Sequence, residues 1–158
     1  ACDSLSMLKV KVAGTGEQSA LLENLENIKL LGYQSPEAVR QLMAQAMALV
    51  MPSIWFETFG LVIIEAFSVG TPVIASRIGV LPELVEDGVT GLLFNPGDTE
   101  DLADKLQWAH AHPEQMRAMG EAARAKYEAF YTAEKNYQQL VAIYRDAIAE
   151  VQGVKVNG

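Results

Sequence analysis

The sequence has 158 residues, a formal net charge of −8 at pH 7 and 50% hydrophobic residues. This length suits one domain with a buried core, and the hydrophobic share excludes a disordered or fibrous chain. The acidic balance argues against a nucleic-acid or anionic-membrane surface, whereas a small phosphate ligand held by backbone amides stays compatible with it. We therefore predict one soluble globular domain over residues 1–158.

The sequence also bears on location. Cys2 is the single cysteine, so an internal disulfide is excluded and a reducing cytosol is expected. We find no signal-like apolar run near the start and no apolar run long enough to span a membrane. Ala1 in place of Met fits either a fragment or removal of an initiator methionine. We expect a cytoplasmic protein with no membrane-spanning segment and no nucleic-acid partner.

The chain opens with the pattern of a strand, a glycine loop and a helix. Residues 8–12 alternate apolar and polar side chains, Gly14 and Gly16 form a Gly-x-Gly loop, and residues 17–25 have helical spacing. A lone Gly-x-Gly is weak evidence for a ligand, because a tight strand-to-helix turn uses the same glycines. Both interpretations stay open.

A second strand and helix follow. Residues 28–31 predict a short buried strand, and Ser35 and Pro36 supply an N-cap and a first helical position for a helix that runs to about Gln45. Tyr33 lies at the carboxyl end of this strand. Its ring could stack on a nucleobase or pack over the glycine loop, and the sequence favours neither.

The central stretch, residues 51–70, combines the end of a buried strand, a loop with a carboxylate, and a helix that is apolar on nearly all faces. Thr58 is predicted as the N-cap, with Phe59 and Gly60 in the first turn, and Gly70 as the left-handed residue that ends the helix after about three turns. The unpaired amides of the first turn and the helix dipole favour an anion there. Without a Cβ, Gly60 would let a phosphate approach the backbone.

Two carboxylates flank this predicted anion site. Glu57 precedes the helix and Glu65 lies inside it, which separates them by on the order of 10 Å. Because an unpaired buried carboxylate is costly, Glu65 should reach a rim, a partner or a ligand, unless backbone donors or an Arg satisfy it. Carboxylates accept hydrogen bonds from hydroxyls and repel phosphate, so the pair suggests a nucleotide-sugar more than a free phosphate.

The second half of the chain predicts further strands and helices. Residues 72–76 and 92–94 are predicted as strands, and a short helix starts after Gly79 with Glu83 in its first turn. Three longer helices follow: one capped by Asp98 that ends before Pro113, one at residues 116–130, and one from Ala133 to about Val151.

Other side chains bear on function. Trp55 and Phe56 are predicted to pack in the core or loop and not to serve as ligand platforms. His110 and His112 have no carboxylate or cysteine at metal-ligand spacing, so both are predicted as surface residues. The last helix carries an apolar stripe that would stay partly exposed unless it packs on its own domain or on a partner, which leaves self-association through this helix open. The stripe consists of Tyr137, Leu140, Val141, Tyr144 and Ile148.

The alternation of strands and helices predicts an α/β fold, a Rossmann-like parallel sheet with helices on both faces. Ligands of such sheets bind beyond the carboxyl ends of the strands. Gly14, Tyr33, Ser53 and Ser76 all follow or end predicted strands. We expect them to converge on one cleft.

Four motifs occur in order along the chain. They are residues 52–67 with two glutamates separated by seven residues, residues 70–75, Gly79 with Pro82 and Glu83, and Gly88 with residues 90–93. Together they resemble the C-terminal, donor-binding half of retaining GT-B glycosyltransferases of family four, over about Leu8 to Val151. Val80 stands where that family usually has a second glycine, which bears on the approach of this loop to a ligand and not on the fold.

The resemblance implies a hexosyltransferase that uses a nucleoside-diphosphate-sugar donor, with no cofactor and no metal. Glu57 would be catalytic and hold hydroxyls of the donor sugar, Glu65 would hold the ribose, and the amides of Phe59, Gly60 and Leu61 would hold the diphosphate. The expected donor-binding set also includes Thr58, Gly14, Gly16, Tyr33 and Ser53. The acceptor would be a glycan, a lipid or a small molecule, and retention would come from attack on the donor's own face. Polysaccharide biosynthesis and a cytoplasmic location, peripheral to the membrane in the full-length enzyme, are further expectations.

The resemblance also implies parts that are not found before Leu8. These are the N-terminal acceptor-binding domain and the first strand of the donor domain, whose loop carries an Arg and a Lys that neutralise the diphosphate. In a dry site the loss of two such charges weakens phosphate binding by on the order of several kcal/mol. We expect these residues alone to bind a nucleotide-sugar weakly and to transfer nothing. A lobe of a nucleotide-sugar epimerase on the same scaffold, and a non-catalytic module that recruits another chain, are the alternatives.

Overall fold

A computed structural model of the chain describes residues 8–151, with side chains described to residue 150. Cys2 therefore lies outside the described residues. The strands are β1 Val10–Ala13, β2 Ile28–Gly32, β3 Leu49–Met51, β4 Val73–Ser76 and β5 Gly91–Phe94. The α-helices are α1 Pro36–Ala44, α2 Leu61–Ser68, α3 Leu81–Leu84, α4 Thr99–Ala111, α5 Pro113–Phe130 and α6 Ala133–Val151.

All strand pairs within residues 8–151 are parallel, and they form two sheets. β1 pairs with β2, and β4 lies between β3 and β5. The predicted α/β class with parallel strands is confirmed, and within the described residues the strands are divided between two sheets. The exposed Lys11 on β1, with the exposed Lys9 just before it, is typical of an edge strand, because charged side chains there discourage further pairing.

Helices cover both faces of the three-stranded sheet. Every residue of β4 and β5 is buried, as expected for parallel strands covered on two sides. Val73 and Ala75 belong to a core cluster with residues of α2 and α3, whereas Ile74 belongs to a second cluster with residues of α4 and α5. Successive side chains of a strand point to opposite faces of the sheet, so the alternate residues of β4 pack into two different core clusters.

Two of the predicted helix N-caps, Ser35 and Asp98, are confirmed. The Ser35 side chain accepts a hydrogen bond from the Ala38 amide at the start of α1, and Asp98 accepts from Glu100 and Asp101 at the start of α4. The helix predicted at residues 17–25 is wrong in type and extent. It is a 3-10 helix at Glu17–Leu21 with no buried residue, and an amphipathic pattern is not enough to hold an α-helix where no core covers its apolar face.

The last helix extends as predicted and keeps its apolar side exposed. Tyr137 is 64% exposed and Tyr144 is 61% exposed. At the end of α4, His110 is exposed as predicted, but His112 is half-buried because its ring stacks on Trp108 with centroids 4.3 Å apart. Among the described residues, no helix has the length and apolar character needed to cross a membrane.

Candidate functional site

A chain of hydrogen bonds fixes Glu57 beyond the carboxyl ends of β3 and β4. The buried Ser76 hydroxyl, at the last residue of β4, donates to the Ser53 carbonyl oxygen at 2.5 Å. The Ser53 hydroxyl donates to Oε1 of Glu57 at 2.9 Å. No residue that the structure describes donates a hydrogen bond to Oε2 of the half-buried Glu57, and each buried polar side-chain atom of the described residues has a partner. This second oxygen is therefore not buried and is accessible. It is therefore free to accept a hydrogen bond from a ligand hydroxyl.

The loop after β4 packs directly on the backbone of Glu57. Gly79 has φ +56°, and a Cβ at this position would lie 3.3 Å from both the amide nitrogen and the carbonyl oxygen of Glu57. Glycine is thus required by its left-handed conformation and by this close approach. Val80, which replaces the second glycine of the resembling family, has ordinary helical dihedrals and is the N-cap residue of α3. The absence of that glycine therefore leaves the loop's support of Glu57 intact.

The start of α2 differs from the prediction. Thr58 is not the N-cap: Gly60 occupies that position with φ 64°, and α2 runs only from Leu61 to Ser68. Phe59 and Gly60 precede the first turn, so the first helical amides are those of Leu61 and Val62. A Cβ on Gly60 would lie 2.6 Å from Cδ1 of Leu84, so packing against α3 accounts for this glycine without a ligand.

The predicted end of α2 is confirmed. Gly70 has φ 77°, and its amide donates to the Phe67 carbonyl while the Thr71 amide donates to the Ala66 carbonyl. This is the left-handed termination that glycine favours. The helix is shorter than the predicted three turns because it begins later.

Glu65 is exposed and lines a cavity of about 960 Å³. The prediction that it reaches a rim is confirmed by this position. The cavity lies over the outer side of α2, and Thr58, Phe59 and Leu61 also line it. Its remaining walls come from α1, α3 and the junction of α5 with α6.

The other predicted residues form a separate group. The Gly14 amide donates to the Gly32 carbonyl at 2.8 Å, which places the glycine loop next to Tyr33. Tyr33 is 83% exposed and so packs little over that loop. Gly14, Gly16 and Tyr33 do not line the cavity beside Glu65. The expected convergence with Ser53 and Ser76 on one cleft stays a prediction.

The packing prediction for the aromatic residues before Glu57 is wrong. Trp55 is 77% exposed and Phe56 is 80% exposed. The loop carries them out beyond the sheet, where no described segment covers them. The apolar character of these two side chains did not reveal from the sequence that they are exposed.

Sequence reasoning also missed several residues of the cavity. They share no local motif, because they come from helices distant in the chain: Arg40, Tyr127, Phe130, Tyr131, Asn136 and Gln139. Among residues 8–151, no group of three or more metal-ligating side chains is found.

Comparison with known proteins identifies the family. Residues 4–126 match the family described as Glycosyl transferases group 1. The chain belongs to this family. The resemblance to GT-B glycosyltransferases is thereby confirmed.

Other proteins and solved structures resemble the chain over most of its length. It is 42% identical over 101 residues to a D-inositol 3-phosphate glycosyltransferase of Saccharomonospora viridis, covering 64% of this chain and 23% of that protein. HepE of Anabaena in complex with UDP matches with a TM-score of 0.80 and 29% identity, over 91% of this chain and 43% of HepE. Sucrose-phosphate synthase of Thermosynechococcus elongatus matches with a TM-score of 0.82 and 30% identity, over 93% and 41% of the two chains. The chain thus spans less than half of each of these proteins.

Proposed function

We propose that this domain is the donor-binding lobe of a glycosyltransferase and that it binds a nucleoside-diphosphate-sugar. The observation that carries the proposal is the fixed carboxylate of Glu57, which Ser53 and Ser76 hold next to the start of α2. A preset hydrogen-bond acceptor beside unpaired helical amides matches a ligand with hydroxyls next to phosphates. Membership of the glycosyltransferase family supports this assignment.

The parts of the donor follow from the chemistry of these groups. The amides of Leu61 and Val62 and the dipole of α2 take the diphosphate, because the first turn of a helix presents unpaired donors. Oε2 of Glu57 accepts a hydroxyl of the donor sugar, and Glu65 accepts the ribose hydroxyls from its position in the cavity wall. Because helical donors supply the anion site, we propose that donor binding needs no metal ion and no other cofactor.

The chemical class of the donor is supported by a relative. HepE was solved with UDP and with UDP-glucose, and a nucleoside diphosphate is what the start of α2 and Glu65 would bind between them. Transfer with retention to a glycan, lipid or small-molecule acceptor belongs to the whole protein in this proposal. So do a role in polysaccharide biosynthesis and a cytoplasmic location.

The role of Glu57 is tested by comparing the binding of a ligand that contains the sugar with that of a ligand that lacks it. We expect Glu57→Gln to weaken binding of the preferred nucleotide-sugar by about tenfold, because a neutral amide is a poorer acceptor for a hydroxyl than a carboxylate. Binding of the matching nucleoside diphosphate, which has no sugar, should change little. Titration calorimetry of both ligands measures the difference.

Glu83→Gln is the matched control, since Glu83 is an exposed glutamate of α3 outside the cavity lining. It should leave both affinities unchanged. An equal loss for both ligands in Glu57→Gln, or no loss, would contradict the sugar-binding role.

A further inference from the structure

The cavity beside Glu65 contains a charge that the proposed function does not use. Among the described residues that line it, only Glu65 and Arg40 are charged. Arg77, Arg117 and Arg124 each form an ion pair with a carboxylate. Arg40, in contrast, makes no hydrogen bond or ion pair to any residue that the structure describes. Its five donors are therefore available to a ligand.

The packing of α1 on α2 determines which part of α2 lies beside Arg40. The two helices run in the same direction, because each leads into one of the parallel strands β3 and β4. The buried Thr71 hydroxyl donates to the Met43 carbonyl at 2.7 Å, which joins the last turn of α1 to the segment just after α2. Arg40 lies three residues before Met43, and Ser68 lies three residues before Thr71. Arg40 is thus level with the last turn of α2.

Glu65 therefore lies between the start of α2 and the level of Arg40. Helical side chains lean toward the N-terminus of their helix. Because α1 and α2 run in the same direction, Arg40 and Glu65 lean the same way and keep this order within the cavity that both line. A ligand with its diphosphate at the start of α2 and its ribose at Glu65 presents its third part, the nucleobase, to Arg40.

We infer that Arg40 contacts the nucleobase of the bound donor and favours bases that present a carbonyl oxygen. This inference rests on the proposed function. A guanidinium only donates hydrogen bonds, so it pairs with carbonyl oxygens, such as O6 of guanine or O4 of uracil, whereas adenine carries an amino donor in place of O6. Arg40 is thus a specificity-determining residue that selects uracil or guanine over adenine.

The test compares four ligands by titration calorimetry: UDP, GDP, ADP and inorganic pyrophosphate. Wild-type protein should bind UDP or GDP more tightly than ADP. Arg40→Gln should weaken binding of the preferred nucleotide by about tenfold, as expected for loss of a good pair to a base edge, and should leave ADP and pyrophosphate within about twofold. Arg117→Gln removes the same charge from α5, outside this cavity, and should change none of the four affinities.

Each outcome decides between the two proposals. If wild-type protein binds no nucleoside diphosphate, both the proposed function and this inference are overturned. If the wild type binds but Arg40→Gln leaves all affinities unchanged, only the inference fails. A loss of equal size for all nucleotides and for pyrophosphate also overturns it, because Arg40 would then contact phosphate. The inference is supported when the loss is confined to UDP or GDP and circular dichroism shows that the variant is folded.

Discussion

The two sheets differ in how completely their strands are buried. All residues of β4 and β5 are buried, and both core clusters are built around the three-stranded sheet. In β1 and β2 the residues are half-buried or exposed. No residue between Lys9 and Leu42 belongs to the buried part of either cluster.

The three-stranded sheet β3–β5 and the helices packed on it form the well-buried part of the domain, here called the stable frame. The two-stranded sheet β1–β2 is the part with little burial. The Glu57 carboxylate is connected through Ser53 to Ser76 of the three-stranded sheet by hydrogen bonds, so we expect it to be held as firmly as that sheet. The glycine loop and Tyr33 depend on the two-stranded sheet, where few buried apolar contacts oppose local opening. The two groups of predicted site residues should therefore respond differently to destabilising substitutions.

The largest expected contrast comes from truncating one apolar side chain in each region. Phe67, on α2, is fully buried, so Phe67→Ala should lower the free energy of unfolding by about 3–5 kcal/mol through lost burial and a cavity. Leu30, on β2, is half-buried, so Leu30→Ala should lower it by about 1 kcal/mol. Urea unfolding measures both values. Equal losses would show that the two-stranded sheet belongs to the same core.

A second contrast compares the replacement of two glycines by alanine, one in each region. A Cβ on Gly91 would overlap the Val73 carbonyl oxygen on the neighbouring strand, so Gly91→Ala must move β5 away from β4 and should cost about 3 kcal/mol. Gly16 has an extended backbone with φ −171° and no atom within 4 Å of an added Cβ. Gly16→Ala should therefore change the free energy of unfolding by less than about 0.5 kcal/mol. A similar shift in both melting curves would contradict the difference in space around the two glycines.

Local signals were enough to predict most elements of the stable frame. Ser35 and Asp98 are residues whose side chains cap helices, and Gly70 is suited to a left-handed turn, so each could be placed from its neighbours in sequence. The start of α2 could not be placed in this way. Thr58 has the right side chain for a cap, but Gly60 is the cap because the loop must fit against Leu84 of α3.

The functional surface was predictable only in part for the same reason. Glu57 and Glu65 could be selected because they lie in one continuous motif with the helix between them. Arg40 comes from a helix before β3 and Tyr131 from the end of α5, and they share a cavity with Glu65 only through the packing of these helices. Sequence spacing carries no information about such contacts. Trp55 shows the converse error, since its apolar ring predicted burial and it is exposed.

The smallest expected effect tests the hydrogen bond that joins α1 to the stable frame. Thr71→Val keeps the shape of the side chain but removes the hydroxyl that donates to the Met43 carbonyl. The Ala46 amide still donates to this carbonyl, so only the loss of one net hydrogen bond is expected, about 1 kcal/mol. Thr15→Val, in the exposed glycine loop, is the matched control and should cost less than about 0.5 kcal/mol. Differential scanning calorimetry compares the two.

Hydrogen exchange of the same pair shows where the effect lies. Because the Thr71 hydroxyl donates to the end of α1, Thr71→Val should raise the exchange rates of α1 amides more than those of β4 and β5. If exchange rises equally in all three elements, the bond is part of the global core and α1 belongs wholly to the stable frame. If α1 alone responds, this hydrogen bond, together with the buried Met43 side chain, attaches the helix that carries Arg40 to that frame, and the position of Arg40 in the cavity depends on it.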